Sequence, residues 1–465
     1  MQNTSVIFNA QKEKSVSLRS SSFQERRAKL QLLLKNFLEM EEEVLSALSS
    51  DLGKSKTEAL LAEIYGVKSE AKFAIKNIKG WMKAKRVASP LAISFTKSWV
   101  KPEPKGTVLI ISPWNYPIML CLNPLIAAIA SGNTAIIKPS ELTPASGRLV
   151  KKLVEKTFSL DEVAVFLGEK NLAKELLELP FNHIMFTGSP RVGKLVMEAA
   201  SKHLAGVTLE LGGKSPVIVD KHANIKDVAW KVSFFKFANA GQTCTAPDYI
   251  LCDEKVHEDL VSCLQKNMSQ FFPKGIKNAT KDYCSIANKH HFDRLVAALE
   301  GAVSSGAKIA CGGEKNQESL HLSPAVLTGV TYDNPIMQEE IFGPILPIIK
   351  VKNLKESISY INNNEKPLAL YLFSNNPSVQ SLVLENTSSG GMVINDCVLH
   401  HMNPNLPFGG INNSGIGSYH GKFGFDAFSH HKAVLKSSPM SPFKIMLPPY
   451  TKTKESLANL IKKYF

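Results

Sequence analysis

The sequence predicts an α/β protein built on doubly wound parallel sheets. Short apolar runs alternate with helical segments from Gly106 onward, and a second such series begins after Leu211. The residues able to do chemistry fall where the runs end. Strand and helix in alternation imply right-handed βαβ crossovers, and ligands of such sheets bind at the carboxyl ends of the strands.

A chain of 465 residues, 44% hydrophobic, has room for two or three domains of ordinary globular character. No apolar run reaches the roughly 18–20 residues of a membrane helix. The longest, Ile118 to Ala130, is interrupted by Asn123-Pro124. No secretory signal and no integral membrane segment are expected. Seven cysteines without regular spacing argue against a disulfide framework, and no Cys/His pair has zinc spacing, so no metal is expected. A cytoplasmic location fits these features. The net charge of +14 would suit nucleic acid, but Lys and Arg are scattered and rarely interleave with aromatics. The expectation is a basic surface that attracts small anions, with no nucleic-acid partner.

In chain order, residues 23–48 place Leu30, Leu33, Leu34, Phe37, Leu38, Val44, Leu45 and Leu48 at helical spacing, and a second long helix is expected over about 58–86. The three prolines of 89–104 predict an extended excursion. Strands are then expected at 108–111, 134–137, 163–166, 184–186 and 207–209, separated by helices near 117–131, 144–157, 173–179 and 191–203. The second series reads as a strand at 216–219, a helix to 240, a strand at 249–252, a helix from 256, and strands near 309, 346 and 393. The turn at 211–216 is the expected seam. At the end of the chain Leu457, Leu460, Ile461 and Phe465 form an apolar stripe beside Lys454, Lys462 and Lys463, a short helix expected to pack on the protein's own surface rather than on a membrane.

The residues with chemical potential are few. Asn239-Ala240-Gly241-Gln242-Thr243-Cys244-Thr245-Ala246-Pro247 sets one thiol among small and polar neighbours. That leaves room for an electrophilic carbon to reach the sulfur, although a lone cysteine is more often an inert buried thiol. Glu210 lies between Leu209 and Leu211. If buried, it would have a raised pKa and serve as a general base; if exposed, it is a strand-end acid. Asn115, in Ser112-Pro113-Trp114-Asn115-Tyr116-Pro117, is held between prolines and suits donation to an oxyanion, or equally a helix cap. Lys138 and Glu141 end the second strand, where an acid can bind ribose hydroxyls. Glu340 and Phe342 enter a Gly-Pro turn.

Gly188-Ser189-Pro190-Arg191-Val192-Gly193-Lys194-Leu195 nearly spells a P-loop, but Leu195 stands where a magnesium-binding Ser or Thr is needed. The favoured reading is a pyrophosphate turn at a helix N-terminus without metal, against a plain strand–helix turn. Gly415-Ile416-Gly417 is followed by Gly421 one position late for a dinucleotide fingerprint, so it reads as a structural loop.

Together these segments resemble the aldehyde dehydrogenase superfamily across essentially the whole chain. The likeness is strongest to the class 3 branch that includes fatty aldehyde dehydrogenases, through residues 241–249, Pro407-Phe408-Gly409-Gly410 and Gly415 to Gly421. The resemblance implies Cys244 as nucleophile, Glu210 as the base that activates water, and Asn115 with the Cys244 amide as oxyanion hole. It implies NAD, with NADP accepted, held by Trp114, Lys138, Glu141, Gly188, Ser189, Gly193, Glu340 and Phe342. It also implies two doubly wound domains plus a small β bridging element. On that basis residues 1–209 form the cofactor domain, with 89–104 lent to the bridge. Residues 210–412 form the catalytic domain, and 413–465 return to the cofactor side, with 432–447 completing the bridge. A homodimer is expected. The implied reaction oxidises an aldehyde, medium or long-chain aliphatic or aromatic, through a cysteine thiohemiacetal and thioester. Glu210 in its Glu-Leu-Gly-Gly setting argues against a CoA-acylating relative. Intact Cys244, Glu210 and Asn115 argue against a non-catalytic NAD-binding one.

Overall fold

The computed structural model of the protein describes residues 3–272, 282–438 and 442–464. Helices Thr4–Leu18, Phe23–Glu39 and Glu41–Leu52 open the chain. A short turn, Lys56–Glu58, then passes through a π-helical stretch, Ala59–Ile64, into the helix Tyr65–Trp81. Apolar periodicity could not announce the first helix, because three of its four buried residues are polar: Thr4, Gln11 and Ser15 beside Phe8. The single helix expected over 23–48 is two. Ser22 and Glu25 form a capping box for the first. The second starts after Met40 with Glu41, Glu42 and Glu43 at its positive N-terminal end. The helix expected to reach residue 86 stops at Trp81, and Lys85–Val87 forms strand β1.

The remaining strands are β2 (Lys97–Pro104), β3 (Thr107–Ile111), β4 (Thr134–Lys138), β5 (Val163–Val165), β6 (His183–Thr187), β7 (Gly206–Glu210), β8 (Pro216–Val219), β9 (Tyr249–Asp253), β10 (Lys308–Cys311), β11 (Lys315–Asn316), β12 (His321–Leu322), β13 (Ala325–Thr328), β14 (Ile345–Val351), β15 (Ala369–Phe373), β16 (Gly391–Ile394), β17 (Gly415–Ile416) and β18 (Ser429–Lys436). One sheet runs β17-β7-β6-β3-β4-β5 and another β10-β13-β14-β9-β8-β15-β16. Both are parallel except where β17 meets β7 and β10 meets β13. A third sheet, β1-β2-β18, is antiparallel. The extended character of 89–104 is therefore β2. Its partner is β18, which ends at Lys436, earlier than the expected 432–447; residues 439–441 lie outside the described residues.

Strand alternation explains why the first sheet is covered on both faces. Val108 and Ile110 of β3 enter one apolar cluster with Ala135 and Ile137, while Leu109 and Ile111 enter another with Ile136. The helix Met119–Ser131 is buried along its whole length beneath the first of these clusters. Burying each large aliphatic side chain of such a core contributes roughly 1.5–3 kcal/mol. The terminal helix exists, as Lys452–Tyr464, but the expectation that it packs on the protein's own surface needs correction. Leu460 and Ile461 are 55% and 37% exposed, so much of the apolar stripe has no cover in a single chain. Phe465 lies outside the described residues.

Candidate active site

The site forms where the first parallel sheet hands over to the second. β7 ends at Glu210, the turn 211–216 follows, and β8 begins the next sheet. Glu210 is 3% exposed, and neither carboxylate oxygen has a hydrogen-bond partner. Burial pushes its pKa well above the usual carboxylate range. The exposed strand-end reading is thereby removed. β17 explains the burial: Gly415 pairs with Glu210, and the Leu211 amide donates to the Ser414 carbonyl at 3.1 Å.

Cys244 lies just beyond a strained loop. The helix Ile225–Phe237 ends, and Asn239, Ala240 and Gly241 all take positive φ, 52°, 50° and 71°. For Ala240 this conformation costs about 1–2 kcal/mol, so surrounding contacts must hold it. At 241 only glycine serves, since a Cβ would come within 2.3 Å of the Gly343 carbonyl oxygen. Cys244 is partly exposed. Burial of its sulfur, with the nearby charges of Glu340 and Glu210, pushes the thiol up to about 12. The three side chains are therefore electrostatic neighbours.

Asn115 is buried, and its Nδ2 donates to the Gln242 carbonyl at 2.9 Å. A primary amide has two N–H donors, so one stays available for a ligand beside the cysteine loop. Tyr116 adds a hydroxyl bond to Thr243 of 2.8 Å. Trp114 meets the Phe342 ring edge-on at 5.5 Å, and Phe342 has φ 47°. Oε1 of Glu340 accepts from the Gly213 and Lys214 amides at 2.8 and 3.4 Å, clamping the seam turn. Burial and the charge of Asp248 raise Glu340 to about 7 despite those amides.

Trp114, Lys138, Glu141, Gly188, Ser189 and Gly193 follow the carboxyl ends of strands of the first sheet, whereas Glu340 and Phe342 come from the turn before β14 of the second. Lys138 Nζ donates to Glu141 Oε2 at 2.5 Å. Burial alone would raise Glu141, but this hydrogen bond, the residue's own backbone amide and the charges of Lys138 and Lys170 together outweigh it and the carboxyl is lowered. Ser189 caps the helix Pro190–Ser201 through the Val192 amide, and Gly193 lies one turn in, against Leu211. A side chain at Gly188 would come within 2.5 Å of the Phe186 ring. A helix N-terminus entered over a residue with no side chain suits a pyrophosphate, and the partly exposed Glu141 suits ribose hydroxyls. These residues fit a nicotinamide dinucleotide.

The family model for the aldehyde dehydrogenase family matches residues 2–434. The chain belongs to the aldehyde dehydrogenase family. The dehydrogenase is 46% identical over 448 residues to the 4,4'-diaponeurosporen-aldehyde dehydrogenase of Staphylococcus aureus, covering 96% of this chain and 95% of that one. It is 42% identical over 441 residues to aldehyde dehydrogenase family 3 member A2 of Pongo abelii, covering 94% and 90%. A structure described as the substrate-bound state of Staphylococcus aureus AldH superposes with a TM-score of 0.95 at 44% identity, over 99% of this chain and 100% of that one. Solved relatives at 26% and 28% identity include an NADP complex and an NAD-dependent enzyme. The dehydrogenase thus oxidises aldehydes with NAD(P).

Several neighbours of the site were not singled out in the sequence. Tyr419 is buried, and its hydroxyl is pushed far up by burial and by the charges of Glu210 and Cys244. It lies in the Gly-Ser-Tyr-His-Gly stretch, noted only for its likeness to the class 3 branch. Asn239 and Gln242 brace the cysteine loop through their side chains. Their proximity to Cys244 was the one signal available.

Proposed function

We propose that Cys244 is the nucleophile, Glu210 the base for the hydrolytic water, and Asn115 the oxyanion donor. The supporting observation is the company of Cys244: a buried carboxylate with two unpartnered oxygens and a side-chain amide with a spare donor. Cys244 ionises, its proton passing to solvent, and its sulfur bonds to the aldehyde carbon. The carbonyl oxygen takes the electron pair, and Asn115 with the Cys244 backbone amide holds that charge. A bound nicotinamide would supply the hydride acceptor that turns the adduct into a thioester. Glu210 then takes a proton from water as the water oxygen attacks the thioester carbon, and the carbon–sulfur bond breaks to release the acid and the thiolate.

The substrate class we favour is a medium or long-chain aliphatic, or an aromatic, aldehyde, on the resemblance of residues 241–249, 407–410 and 415–421 to the class 3 branch. NAD is preferred over NADP because Glu141 repels a 2′-phosphate. We assign residues 1–209 to the cofactor domain, 210–412 to the catalytic domain and 413–465 to the returning segment, with a cytoplasmic homodimer as the working form. No helix among the described residues is long and apolar enough to cross a membrane. Cys244→Ala is expected to abolish NAD reduction by hexanal while NAD binding, followed by fluorescence, stays within about twofold. More than about 1% residual turnover in the folded variant would remove the nucleophile assignment, since losing a covalent nucleophile costs several orders of magnitude.

A further inference from the structure

Beneath the proposed site lies a buried ion pair that the reaction just described does not use. Lys54 and Glu63 have side chains at 0% exposure, with Nζ 3.1 Å from Oε1. Lys54 also donates to the Asn115 backbone carbonyl at 3.2 Å, and its ammonium sits 4.3 Å from the Tyr116 ring centroid. The other oxygen of Glu63 accepts from the Ile118 and Met119 amides at 3.2 and 2.8 Å. The pair therefore grips the segment 115–119 at both ends.

A second set of contacts reaches the cysteine loop from the same helix. Glu58 accepts from the backbone amide of Asn239, the first of the three positive-φ residues. Asn239 in turn donates through Nδ2 to the carbonyls of Asn115 and Gln242, at 3.0 and 3.1 Å. Glu58 and Glu63 are five residues apart and would diverge on a regular α-helix. The π-helical stretch Ala59–Ile64 has a wider turn, with bonds running i→i+5, and brings both carboxylates to one side.

A buried ion pair is a poor device for stability alone, since well-packed apolar residues usually do as well or better. Its geometry does supply something apolar residues cannot, a fixed hydrogen bond to the peptide that carries the oxyanion donor. We infer that Lys54 and Glu63 are positioning residues for the oxyanion pocket, holding the Asn115 peptide so that its side-chain amide is aimed beside Cys244. This rests on the assignment of Asn115 made above. A displacement of about 1 Å in such a group costs roughly a hundredfold in rate, so the effect should be kinetic and specific to carbonyl addition.

The test is the rate of the NADH burst when enzyme with NAD is mixed with hexanal, set against alkylation of Cys244 by iodoacetamide, which forms no oxyanion. Lys54→Met should slow the burst roughly ten- to a hundredfold. The alkylation rate and NAD affinity should stay within about twofold of the parent enzyme. Lys54→Met/Glu63→Gln removes both members of the ion pair together, keeps an acceptor for the 118 and 119 amides, and should slow the burst similarly. It carries the test if the single variant does not fold. In an Asn115→Ala background the Lys54 change should add less than about threefold, because groups acting through one another are not additive. The inference is overturned by a burst within twofold of the parent, by alkylation falling in step with the burst, or by full additivity with Asn115→Ala. If Asn115→Ala alone leaves the burst at the parent rate, the oxyanion assignment fails first and takes this inference with it.

Discussion

Cys244 carries the most consequential environment in the chain, and its chemistry is set by what surrounds the sulfur. Burial first, then the charges of Glu340 and Glu210, hold the thiol near 12, so the reactive thiolate is a small fraction at neutral pH. Alkylation of Cys244 by iodoacetamide in the absence of aldehyde should therefore keep rising from pH 6 to 9. The slope should approach about tenfold per unit, as expected for a group far below its pKa. A plateau below pH 8 would mean that the thiolate is stabilised by a contact other than those described. Glu210 shows what the sequence could and could not say at this scale. Its flanking leucines left burial and exposure equally open, because a strand end faces either way until the neighbouring strand is known. The antiparallel partner β17 decides it, and β17 comes from two residues some two hundred positions downstream.

At the scale of elements, the alternating strands and helices were legible because apolar runs of five residues between helices have few other uses. The seam turn and the strand ends carrying Asn115, Lys138 and Glu210 were readable for the same reason. Elements whose cause is tertiary were missed. The helix Thr4–Leu18 buries polar residues: Gln11 Nε2 donates to the carbonyls of Ala135 and Leu160, at 3.1 and 3.0 Å. β15 went unread although Ala369 to Phe373 is wholly apolar, since a short apolar run cannot by itself be told from a helical one. The π-helical stretch left no mark in the periodicity. The carboxyl end of β4 also gives a prediction. If Glu141 excludes a 2′-phosphate, Glu141→Gln should improve kcat/KM for NADP relative to NAD by roughly fivefold. That is the size of one unit charge acting at a half-exposed site, about 1 kcal/mol. An unchanged cofactor ratio would place the discrimination elsewhere.

For the whole molecule, the three-stranded sheet β1-β2-β18 is the feature least suited to a single chain. Val87 and Leu435 are 45% and 54% exposed on it, and Trp230 and Phe234 are 47% and 49% exposed on a helix of the second sheet. Apolar surfaces of this kind ask for a partner, and a second copy is the proposed one. Sedimentation at micromolar concentration should give a species of twice the 51.0 kDa chain mass. A sharp boundary at the monomer mass would contradict it.

The division of labour between the two sheets is the central claim: Cys244 from the second forms the bond, and Glu210 from the first clears it. In Glu210→Gln the amide keeps the size of the side chain but cannot take a proton from water at neutral pH. Rapid mixing of that variant with NAD and hexanal should give a burst of NADH near one equivalent per active site, followed by very slow turnover. Mass spectrometry of the quenched protein should find an acyl adduct on Cys244. If the variant still binds NAD but gives neither burst nor adduct, Glu210 acts before the thioester forms, and the role given to it here is wrong.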